Sequence, residues 1–353
     1  MTATIDIQRV KESRLAMLDF ATLQFGKEFS DHMFVADCID GVWQEPKIMP
    51  FGPLPSSPAQ SALHYGQAIF EGMKAFRTAD NQIQLFRPID NFNRLNISAE
   101  RMAMPPIPES IFMEGLLQLI KLDQAWVPAQ EGYSLYIRPV YYATEEALGV
   151  RPSSSYRFVI LTSPAGKYYA DPVKVLVETE YTRASEGGMG YAKAAGNYGG
   201  SLHPTKMAKE KGYDQLIWMD AKEHRFAEES GTMNVMFVID GKLVTPALSS
   251  SKLAGITRDS ILKLAGSMNI PVEERNISVE ELVAAHKAGH LQDAFGVGTA
   301  ANLSPISLIG YEGKDYHLPP VAERAISNRL GDALNDIKYG NAADTFGWIL
   351  KVN

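Results

Sequence analysis

The chain has 353 residues, of which 45% are hydrophobic and 21% are charged, and its formal net charge is −7. This composition is typical of a soluble globular protein, and the length is enough for about two domains. The acidic balance argues against a nucleic-acid partner, which a basic stripe would favour, and the single cysteine, Cys38, excludes an intrachain disulfide framework and a CxxC pair.

The first residues of the chain give an expectation about its location. MTATIDIQRVKESRL has no basic segment leading into an apolar core, and no stretch of the chain approaches about 18 uninterrupted apolar residues. We therefore expect a cytoplasmic protein with no membrane span, no nucleic-acid partner and no metal site. Residues 1–60 are expected to be irregular, with turn signals at Asp40-Gly41 and Pro53.

The remainder of the first half indicates a unit of helices and strands. Asn91 to Met104 places apolar residues on one helical face, and Ser110 to Leu122 is a second amphipathic run. Two strands are expected after them, at 133–144 and 156–163, because both segments are rich in aromatic and β-branched residues. The segment SPAGKYYADP at 163–172 carries turn residues between strand patterns and is expected to be a linker.

The second half alternates strands with helices. Strand patterns lie at 173–181, 214–221 and 233–246, and the last contains a hairpin turn at Asp240-Gly241. Helices are expected from Thr257 to Ala265, after the capping box that begins at Ser278, and over 321–337.

These patterns predict an α/β (α+β) protein with two domains. A small N-terminal α/β domain is expected over 1–165 and a larger C-terminal domain over 173–353, joined by an interdomain loop over 166–172.

One lysine, Lys193, stands among small residues in YAKAAGNYGG at 191–200. Most lysines lie in charged company and stay protonated, whereas a lysine with little polar competition can be desolvated. Desolvation lowers the pKa of the amine and allows it to form a Schiff base with a carbonyl group. Lys193 is therefore a candidate carbonyl-binding residue, although a lysine in a Gly/Ala loop is more often structural.

Three features favour a phosphate ligand. In LAGITRDSI at 253–261, Gly255 precedes a helix start, which places the amides of Ile256 and Thr257 at the positive end of the helix dipole. FGVGTAANLSP at 295–305 is a second loop of small residues, with the Thr299 hydroxyl. Arg94 follows a strand and would form charge-assisted bonds with phosphate if it turned inward.

Glu229 in FAEESGTMN supplies a carboxylate that could keep a ring nitrogen protonated. Each of these features alone is more often an ordinary turn or a solvated side chain. Together, a lysine for an aldehyde, a carboxylate for a ring nitrogen and a phosphate cup describe a pyridoxal phosphate site.

Eight segments of the chain, in their order and spacing, resemble the branched-chain aminotransferases of the fold-type IV pyridoxal phosphate class over nearly the full length. The segments are FSDHMF (29–34), SALHYGQAIFEGMKAF (61–76), LFRPIDNFNRL (85–95), SLYIRPV (134–140), KAAGNYGGSL (193–202), EESGTMN (228–234), LAGITRDSI (253–261) and GTAANLSPI (298–306). Each is modest alone, but eight in order are highly specific.

The resemblance implies a fold and an activity. Each of the two domains would have a sheet or barrel core with surrounding helices, and the C-terminal domain would bind pyridoxal 5'-phosphate. The enzyme would transfer amino groups reversibly between leucine, isoleucine or valine and 2-oxoglutarate. It would work as a homodimer or a multiple of one.

The resemblance also assigns the cofactor site, position by position. Lys193 would carry the cofactor as a Schiff base and then move the proton between the substrate Cα and C4′. Tyr198 would hydrogen-bond the ring hydroxyl oxygen, and Glu229 would pair with the pyridine nitrogen. The phosphate would be held by Arg94, Ile256, Thr257 and Thr299.

The substrate site follows from the same resemblance. The amides of Ala300 and Ala301, with Tyr136, are expected to bind the substrate carboxylate, and Arg138 the distal carboxylate of glutamate or 2-oxoglutarate. Tyr168 falls in the interdomain loop that covers part of the site in this family. An apolar side-chain pocket is implied for Tyr65, Phe70 and Gly72.

The chain departs from the family pattern at named positions. Ala195 replaces the first of two glycines that usually precede the Asn-Tyr pair, and its methyl is expected to narrow the approach of the backbone. Asn302 stands where an apolar or acidic residue is more usual, which is expected to alter the carboxylate site. The cysteine pair of the mammalian members is replaced by Ala301 and Ser304, which excludes a thiol switch of that type.

Two alternatives stay open from the sequence. A D-amino-acid or (R)-amine transaminase, or an aminodeoxychorismate lyase, would share Lys193 and Glu229 but not the combined YIRP and LFRPIDNFNRL segments. A binding protein without activity on the same fold would lack the lysine or the glutamate, and both are present.

Overall fold

The computed structural model describes residues 4–166 and 171–352, which form two compact units. The first unit contains the chain up to the gap at 167–170, together with Ala192–Gly196 and the residues from Ile337 onward. The second contains the residues from the end of that gap to Tyr191, together with Asn197–Asp336. Within the described residues, no helix has both the length and the apolar character needed to cross a membrane.

The helices are α1 (Ser61–Tyr65), α2 (Pro88–Arg101), α3 (Glu109–Leu122), α4 (Ala195–Glu210), α5 (Ile256–Ser267), α6 (Val279–Lys287) and α7 (Ala325–Tyr339). Short 3₁₀ turns occupy Arg14–Met17, Phe20–Thr22, Gln124–Trp126 and Val321–Glu323.

The strands up to the gap are β1 (Asp6–Ile7), β2 (His32–Ile39), β3 (Val42–Trp43), β4 (Lys47–Pro50), β5 (Ala68–Phe70), β6 (Met73–Arg77), β7 (Ile83–Phe86), β8 (Ser134–Ala143) and β9 (Ser155–Ala165). Those after the gap are β10 (Val173–Val177), β11 (Gln215–Met219), β12 (Ala227–Ser230), β13 (Met233–Ile239), β14 (Lys242–Thr245), β15 (Val272–Glu274), β16 (Leu291–Gly298), β17 (Asn302–Tyr311), β18 (Lys314–His317) and β19 (Ile349–Val352).

The first unit is built on a sheet of ten strands in the order β1-β4-β2-β9-β8-β6-β7-β19, with β3 on β2 and β5 on β8. Only the β1–β4 pair is parallel among these pairings. A cluster of buried aromatic rings, including Phe34, Phe112 and Phe158, packs α3 on the sheet. Gly115 of α3 permits this packing, because an added Cβ would lie 2.5 Å from the Phe34 ring.

The second unit contains a sheet of nine strands in which β12 pairs with both β11 and β13. The strands β12, β11, β10, β17, β16 and β13 therefore close into a ring, as in a barrel. Its aliphatic core includes Val175, Ile217, Val235 and Ile306, all of them fully buried. These two sheets with surrounding helices confirm the expected α/β (α+β) fold class.

Most of the expected elements are confirmed. The strands expected at 133–144 and 156–163 are β8 and β9, and the helices expected from Asn91 and Ser110 are α2 and α3. α5 and α7 both run two residues beyond their expected ends, and α7 begins only after the turn at Val321–Glu323.

Two local turn signals are also confirmed. Asp240 and Gly241 have φ angles of 50° and 72°, as the type I′ turn of a tight hairpin requires. Ser278 caps α6 by accepting a hydrogen bond from the Glu281 amide, and Glu281 is the acidic residue expected three positions after the cap.

Two regions differ from the sequence-based expectation. Residues 1–60, expected to be irregular, contain β1 to β4, and β2 lies inside the first sheet between β4 and β9. Because β2 is buried on both faces, it lacks the alternation that marks a half-exposed strand. Helix α4 is not predicted, because its glycines and Pro204 weaken a helical pattern and it has little apolar periodicity.

Candidate active site

The main chain of Lys193 is held on both sides within the first unit. Its amide donates to the Ser98 hydroxyl (2.9 Å), and its carbonyl accepts from the Phe70 amide (3.1 Å). The neighbouring Ala194 forms a β-bridge with Ile69. The half-buried side chain places Nζ 4.8 Å from the centroid of the Phe70 ring. Lys193 and Phe70 therefore lie together, and Ser98 is a supporting residue that the sequence did not reveal.

The Phe70 ring also contacts Arg138, whose guanidinium carbon lies 4.6 Å from the ring centroid. The Nη2 atom of Arg138 donates to the Tyr136 hydroxyl (2.9 Å), and within the described residues its buried Nε has no hydrogen-bond partner. Gly72 completes this group, because a Cβ at that position would lie 2.3 Å from the Tyr136 hydroxyl. The structure thus brings together four of the predicted substrate residues.

Lys74 lies on the same face of the first sheet as Tyr136, because the two residues are opposite each other in the β6–β8 register. Burial lowers the pKa of the Lys74 ammonium to about 8. The amine is therefore still mostly protonated at neutral pH, and it adds positive charge to the face that carries Arg138. Nothing in the local sequence pattern distinguishes Lys74 from a surface lysine.

Arg94, expected to bind phosphate, forms a two-point ion pair with Glu71. Its Nε and Nη2 atoms donate to the two carboxylate oxygens at 2.7 Å and 2.9 Å. Glu71 is fully buried, and a buried carboxylate requires such a partner. The pair fixes the plane of the Arg94 guanidinium. Glu71, which sits between Phe70 and Gly72 in the chain, was not singled out from the sequence.

Glu229 lies on β12 of the second unit and is buried. Its Oε1 accepts a hydrogen bond from the Leu253 amide (2.7 Å), and its Oε2 lies 3.1 Å from Nε of Arg183. Arg183 is itself anchored, since Nη2 donates to the carbonyls of Ser251 (2.5 Å) and Gly190 (3.2 Å). A guanidinium beside a buried carboxylate favours the charged form of the carboxylate. Arg183 is a further residue that the sequence did not reveal.

A small cavity of about 20 Å³, enough for one water-sized group, adjoins this carboxylate. Glu229 and Tyr198 both line it, as do Arg183, Asn197 and Leu253. The Asn197 side chain donates to the carbonyl of Met189 (2.9 Å). The structure therefore places the predicted ring-nitrogen and ring-hydroxyl partners on the wall of one cavity.

The turn before α5 has the form predicted for a phosphate site. Gly255 is the N-cap of α5 and contributes no side chain to cap the helix, and Ile256 and Thr257 begin its first turn. A Cβ on Gly255 would lie 1.9 Å from the Asn234 amide oxygen, so only glycine fits. The Asn234 side chain in turn donates to the Leu253 carbonyl (2.9 Å). The amides of a first helical turn favour a bound anion.

The second predicted anion loop, Thr299 to Ala301, is the turn between β16 and β17. Asn302 closes it with φ of 62°, a left-handed conformation that asparagine tolerates better than most residues. The Asn302 side chain donates to the Asn335 side chain (2.7 Å). The unusual Asn302 is thus explained by the backbone of the turn. Ala300 and Ala301 are half-buried in it.

Three predicted residues are not joined to these groups by a described contact. Tyr65 ends α1 with 40% of its surface exposed, and its described ring contact is with His64. Ala195 is exposed at the first position of α4. Tyr168 lies outside the residues that the structure describes.

The arrangement within each unit defines what chemistry it can support. The first unit presents an amine and a guanidinium against one aromatic ring. The second presents a buried carboxylate, a phenol on the same cavity and a helix N-terminus that favours an anion. The groups of the second unit suit a ligand with a basic ring nitrogen and a phosphate, and the amine of the first unit suits a carbonyl group.

Comparison with known proteins gives matches along most of the chain. A family model described as amino-transferase class IV matches residues 68–309. Branched-chain-amino-acid transaminase 1 of Bacillus subtilis (strain 168) is 47% identical over 339 residues, which cover 95% of this chain and 95% of the relative.

Solved structures give the same picture. The branched-chain amino acid aminotransferase from Escherichia coli matches with a TM-score of 0.73 and 26% identity, covering 92% of this chain and 99% of the other. The T.th. branched-chain amino acid aminotransferase, complexed with N-(5'-phosphopyridoxyl)-L-glutamate, matches with a TM-score of 0.71 and 26% identity, covering 90% and 98%.

Proposed function

The chain belongs to the class IV aminotransferases and, among them, to the branched-chain-amino-acid transaminases of fold type IV, and on that premise we propose how its residues carry out the transfer. It is a pyridoxal-phosphate-dependent enzyme. We propose leucine, isoleucine and valine as amino donors and 2-oxoglutarate as the acceptor. The name of the B. subtilis relative and the glutamate adduct in the T.th. structure support this pairing.

The residues of the second unit fit the cofactor. Glu229, paired with Arg183, would hold a proton on the pyridine nitrogen, and Tyr198 would bond the ring hydroxyl oxygen. The phosphate would be held by Ile256 and Thr257 through their amides and by Thr299, and the expected phosphate role of Arg94 is kept as part of the proposal. When bound, pyridoxal phosphate supplies a ring that withdraws the negative charge left on Cα after its proton is removed.

Lys193 is proposed as the residue that binds the cofactor covalently and then acts as acid and base. Once the substrate amine has displaced it, the Lys193 Nζ can take the proton from Cα. Its main-chain bonds to Ser98 and Phe70 hold the backbone of residue 193 in place without using the side chain. The side-chain amine can therefore move between the cofactor and the substrate while the Lys193 backbone stays fixed.

One observation carries the substrate assignment: a single ring, Phe70, contacts both the Lys193 amine and the Arg138 guanidinium. The ring gives an apolar wall for a branched side chain. Arg138, with the nearby Lys74, gives the charge for the distal carboxylate of 2-oxoglutarate. Tyr136 and the amides of Ala300 and Ala301 are proposed to bind the α-carboxylate. Tyr65 and Tyr168 keep their expected substrate roles as proposals.

The test is an assay of the purified protein with pyridoxal phosphate and 2-oxoglutarate against L-leucine, L-isoleucine and L-valine, with D-leucine in parallel. Glutamate should form with all three L-amino acids. Turnover of D-leucine alone would instead assign a D-amino-acid transaminase. No turnover with any branched-chain amino acid would contradict the proposed function.

We also propose that the enzyme is a homodimer or a multiple of one, and that one of its contact surfaces surrounds α1. Leu63 of α1 is 67% exposed, and Leu148 and Val150 of the adjoining loop are 72% and 87% exposed. The loop is joined to α1 by the bond from the Ser61 amide to the Glu145 carbonyl (2.9 Å). A group of exposed apolar side chains of this kind favours burial against a second copy. The cytoplasmic location stays a prediction.

The dimer prediction is tested by changing Leu148 and Val150 together to glutamate. Two charges at an apolar contact should lower the mass measured by light scattering, to that of one chain if the unaltered protein is a dimer and to a smaller assembly if it is a multiple of one. Leu202→Glu, at another exposed leucine, serves as the control and should leave the mass unchanged. A single-chain mass for the unaltered protein would contradict the proposal.

A further inference from the structure

A second buried carboxylate, Glu228, stands next to Glu229 on β12. The register of β12 against β11 shifts between the Trp218–Glu229 and Met219–Ala227 pairs, which leaves Glu228 without an opposite residue on β11. Glu228 is 5% exposed, and its Oε1 lies 3.0 Å from Nζ of Lys252, which is 7% exposed. The Ser251 hydroxyl donates to the same oxygen. Within the described residues, Oε2 of Glu228 has no hydrogen-bond partner, so Lys252 and Ser251 anchor the carboxylate through one oxygen.

The segment 251–253 connects this pair to the Glu229 carboxylate. Ser251 binds Glu228 through its hydroxyl and accepts from Arg183 through its carbonyl (2.5 Å). Leu253 donates its amide to Glu229 (2.7 Å). The Arg183 guanidinium and the Leu253 amide, which contact Glu229, are therefore tied to a segment that the Glu228–Lys252 pair holds against β12.

The same segment leads directly into the turn at Gly255 and the first helical turn of α5. Its other side is packed against residue 190, since a Cβ on Gly190 would lie 2.2 Å from the Ser251 carbonyl oxygen. The segment can therefore shift little toward that side. A displacement of residues 251–253 would move the Glu229 partner and the amides of Ile256 and Thr257 together.

Stability alone does not account for a buried ion pair at this position. Removing two charges from water costs about as much as their attraction returns, and well-packed apolar residues are often as stable. The value of the pair therefore lies in what it holds in place.

We propose that Lys252 and Glu228 are positioning residues for the cofactor: they fix segment 251–253 so that Glu229 and the α5 amides keep their geometry. The inference rests on the proposed function, in which Glu229 faces the ring nitrogen and α5 the phosphate. Lys252 takes part in no chemical step of this proposal and is not placed in contact with substrate or cofactor.

The test compares Lys252→Met and Lys252→Arg in the full chain. Apoenzyme is titrated with pyridoxal phosphate while its tryptophan fluorescence is followed, and the absorbance maximum of the bound cofactor is recorded. Lys252→Met should raise the dissociation constant about tenfold, shift the maximum, and lower kcat about tenfold with the KM for leucine nearly unchanged. Lys252→Arg keeps the positive charge, so its cofactor dissociation constant, absorbance maximum and kcat should equal those of the unaltered enzyme.

The matched control is Arg324→Met, which breaks another buried ion pair of the second unit, the one with Asp293 (2.9 Å). It should lower resistance to urea without changing the cofactor dissociation constant or absorbance maximum. If Lys252→Met behaves in the same way, the pair is merely structural and the proposal is overturned.

A double variant, Lys252→Met with Glu228→Leu, keeps the test decisive if the single change fails to fold. It removes both charges, so it should fold, yet it should still bind the cofactor about tenfold more weakly because segment 251–253 is less firmly held. Unaltered binding in the double variant would overturn the proposal. Failure of the unaltered protein to bind pyridoxal phosphate would instead count against the proposed function.

Discussion

An enzyme in which Lys193 is replaced by alanine is expected to lose the visible absorbance of its bound cofactor and to have kcat lowered about 10³-fold or more. The change removes the amine proposed to hold the cofactor and to move the substrate proton. It leaves the main-chain bonds to Ser98 and Phe70 intact, since neither uses the lysine side chain. Absorbance spectra before and after addition of leucine, together with steady-state rates, provide the measurement.

Lys206→Ala is the matched control for this experiment. Lys206 lies on α4, the helix that begins just after Lys193, and its side chain is 77% exposed beside Glu210. Its removal should change neither the spectrum nor the rate. A cofactor band that survived in Lys193→Ala would assign the covalent link to another lysine.

Glu229→Gln is expected to lower kcat about 10²- to 10³-fold, because a neutral amide cannot keep the ring nitrogen protonated. The amide can still accept the hydrogen bond from Leu253, but the Arg183 guanidinium, whose side chain is 9% exposed, loses its counter-charge. The free energy of unfolding of the apoenzyme should therefore fall by about 3 kcal/mol. Steady-state kinetics and urea denaturation measure the two effects separately.

Glu280→Gln is a suitable control, since Glu280 is more than half exposed in its ion pair with Arg225. It should change the rate by less than about twofold and the stability by less than about 1 kcal/mol. A Glu229→Gln enzyme with unaltered kcat would show that the ring nitrogen does not depend on this carboxylate.

The local signals of the sequence predicted much of the fold. The β-branched and aromatic residues of β8, and the turn chemistry of Asp240-Gly241, act within a few residues and give reliable elements. β2 is buried because it lies between β4 and β9 in the sheet, and the residues near it in the chain do not indicate these neighbours. The first unit also takes in Ala192–Gly196 and the residues from Ile337 onward, although the sequence suggested one continuous stretch for each domain. The grouping of these distant segments into one unit depends on pairing between strands that are far apart in the sequence.

The family motifs predict a set of candidate site residues but not the residues that contact and hold them. Glu71, Ser98 and Arg183 become meaningful only through contacts between residues far apart in the chain, such as the bond from the Lys193 amide to Ser98. The role of Lys252 is equally hard to see in the sequence, because three serines followed by a lysine are typical of a solvent-exposed loop. The left-handed backbone of Asn302 favours an asparagine there, which the sequence alone does not reveal, and its expected effect on the carboxylate site stays a prediction.

The pairing of β19 with β7 has a consequence for how the protein is made. β7 needs Ile349–Val352 to complete its edge, and the Arg87 amide at the start of α2 donates to the Trp348 carbonyl (2.7 Å). About 260 residues separate the two strands, so at ~5–20 residues per second β7 waits roughly 15–50 s on the ribosome for its partner. The unit begun first is thus finished last, and a chaperone that shields the unpaired β7 edge would have its greatest effect during that interval.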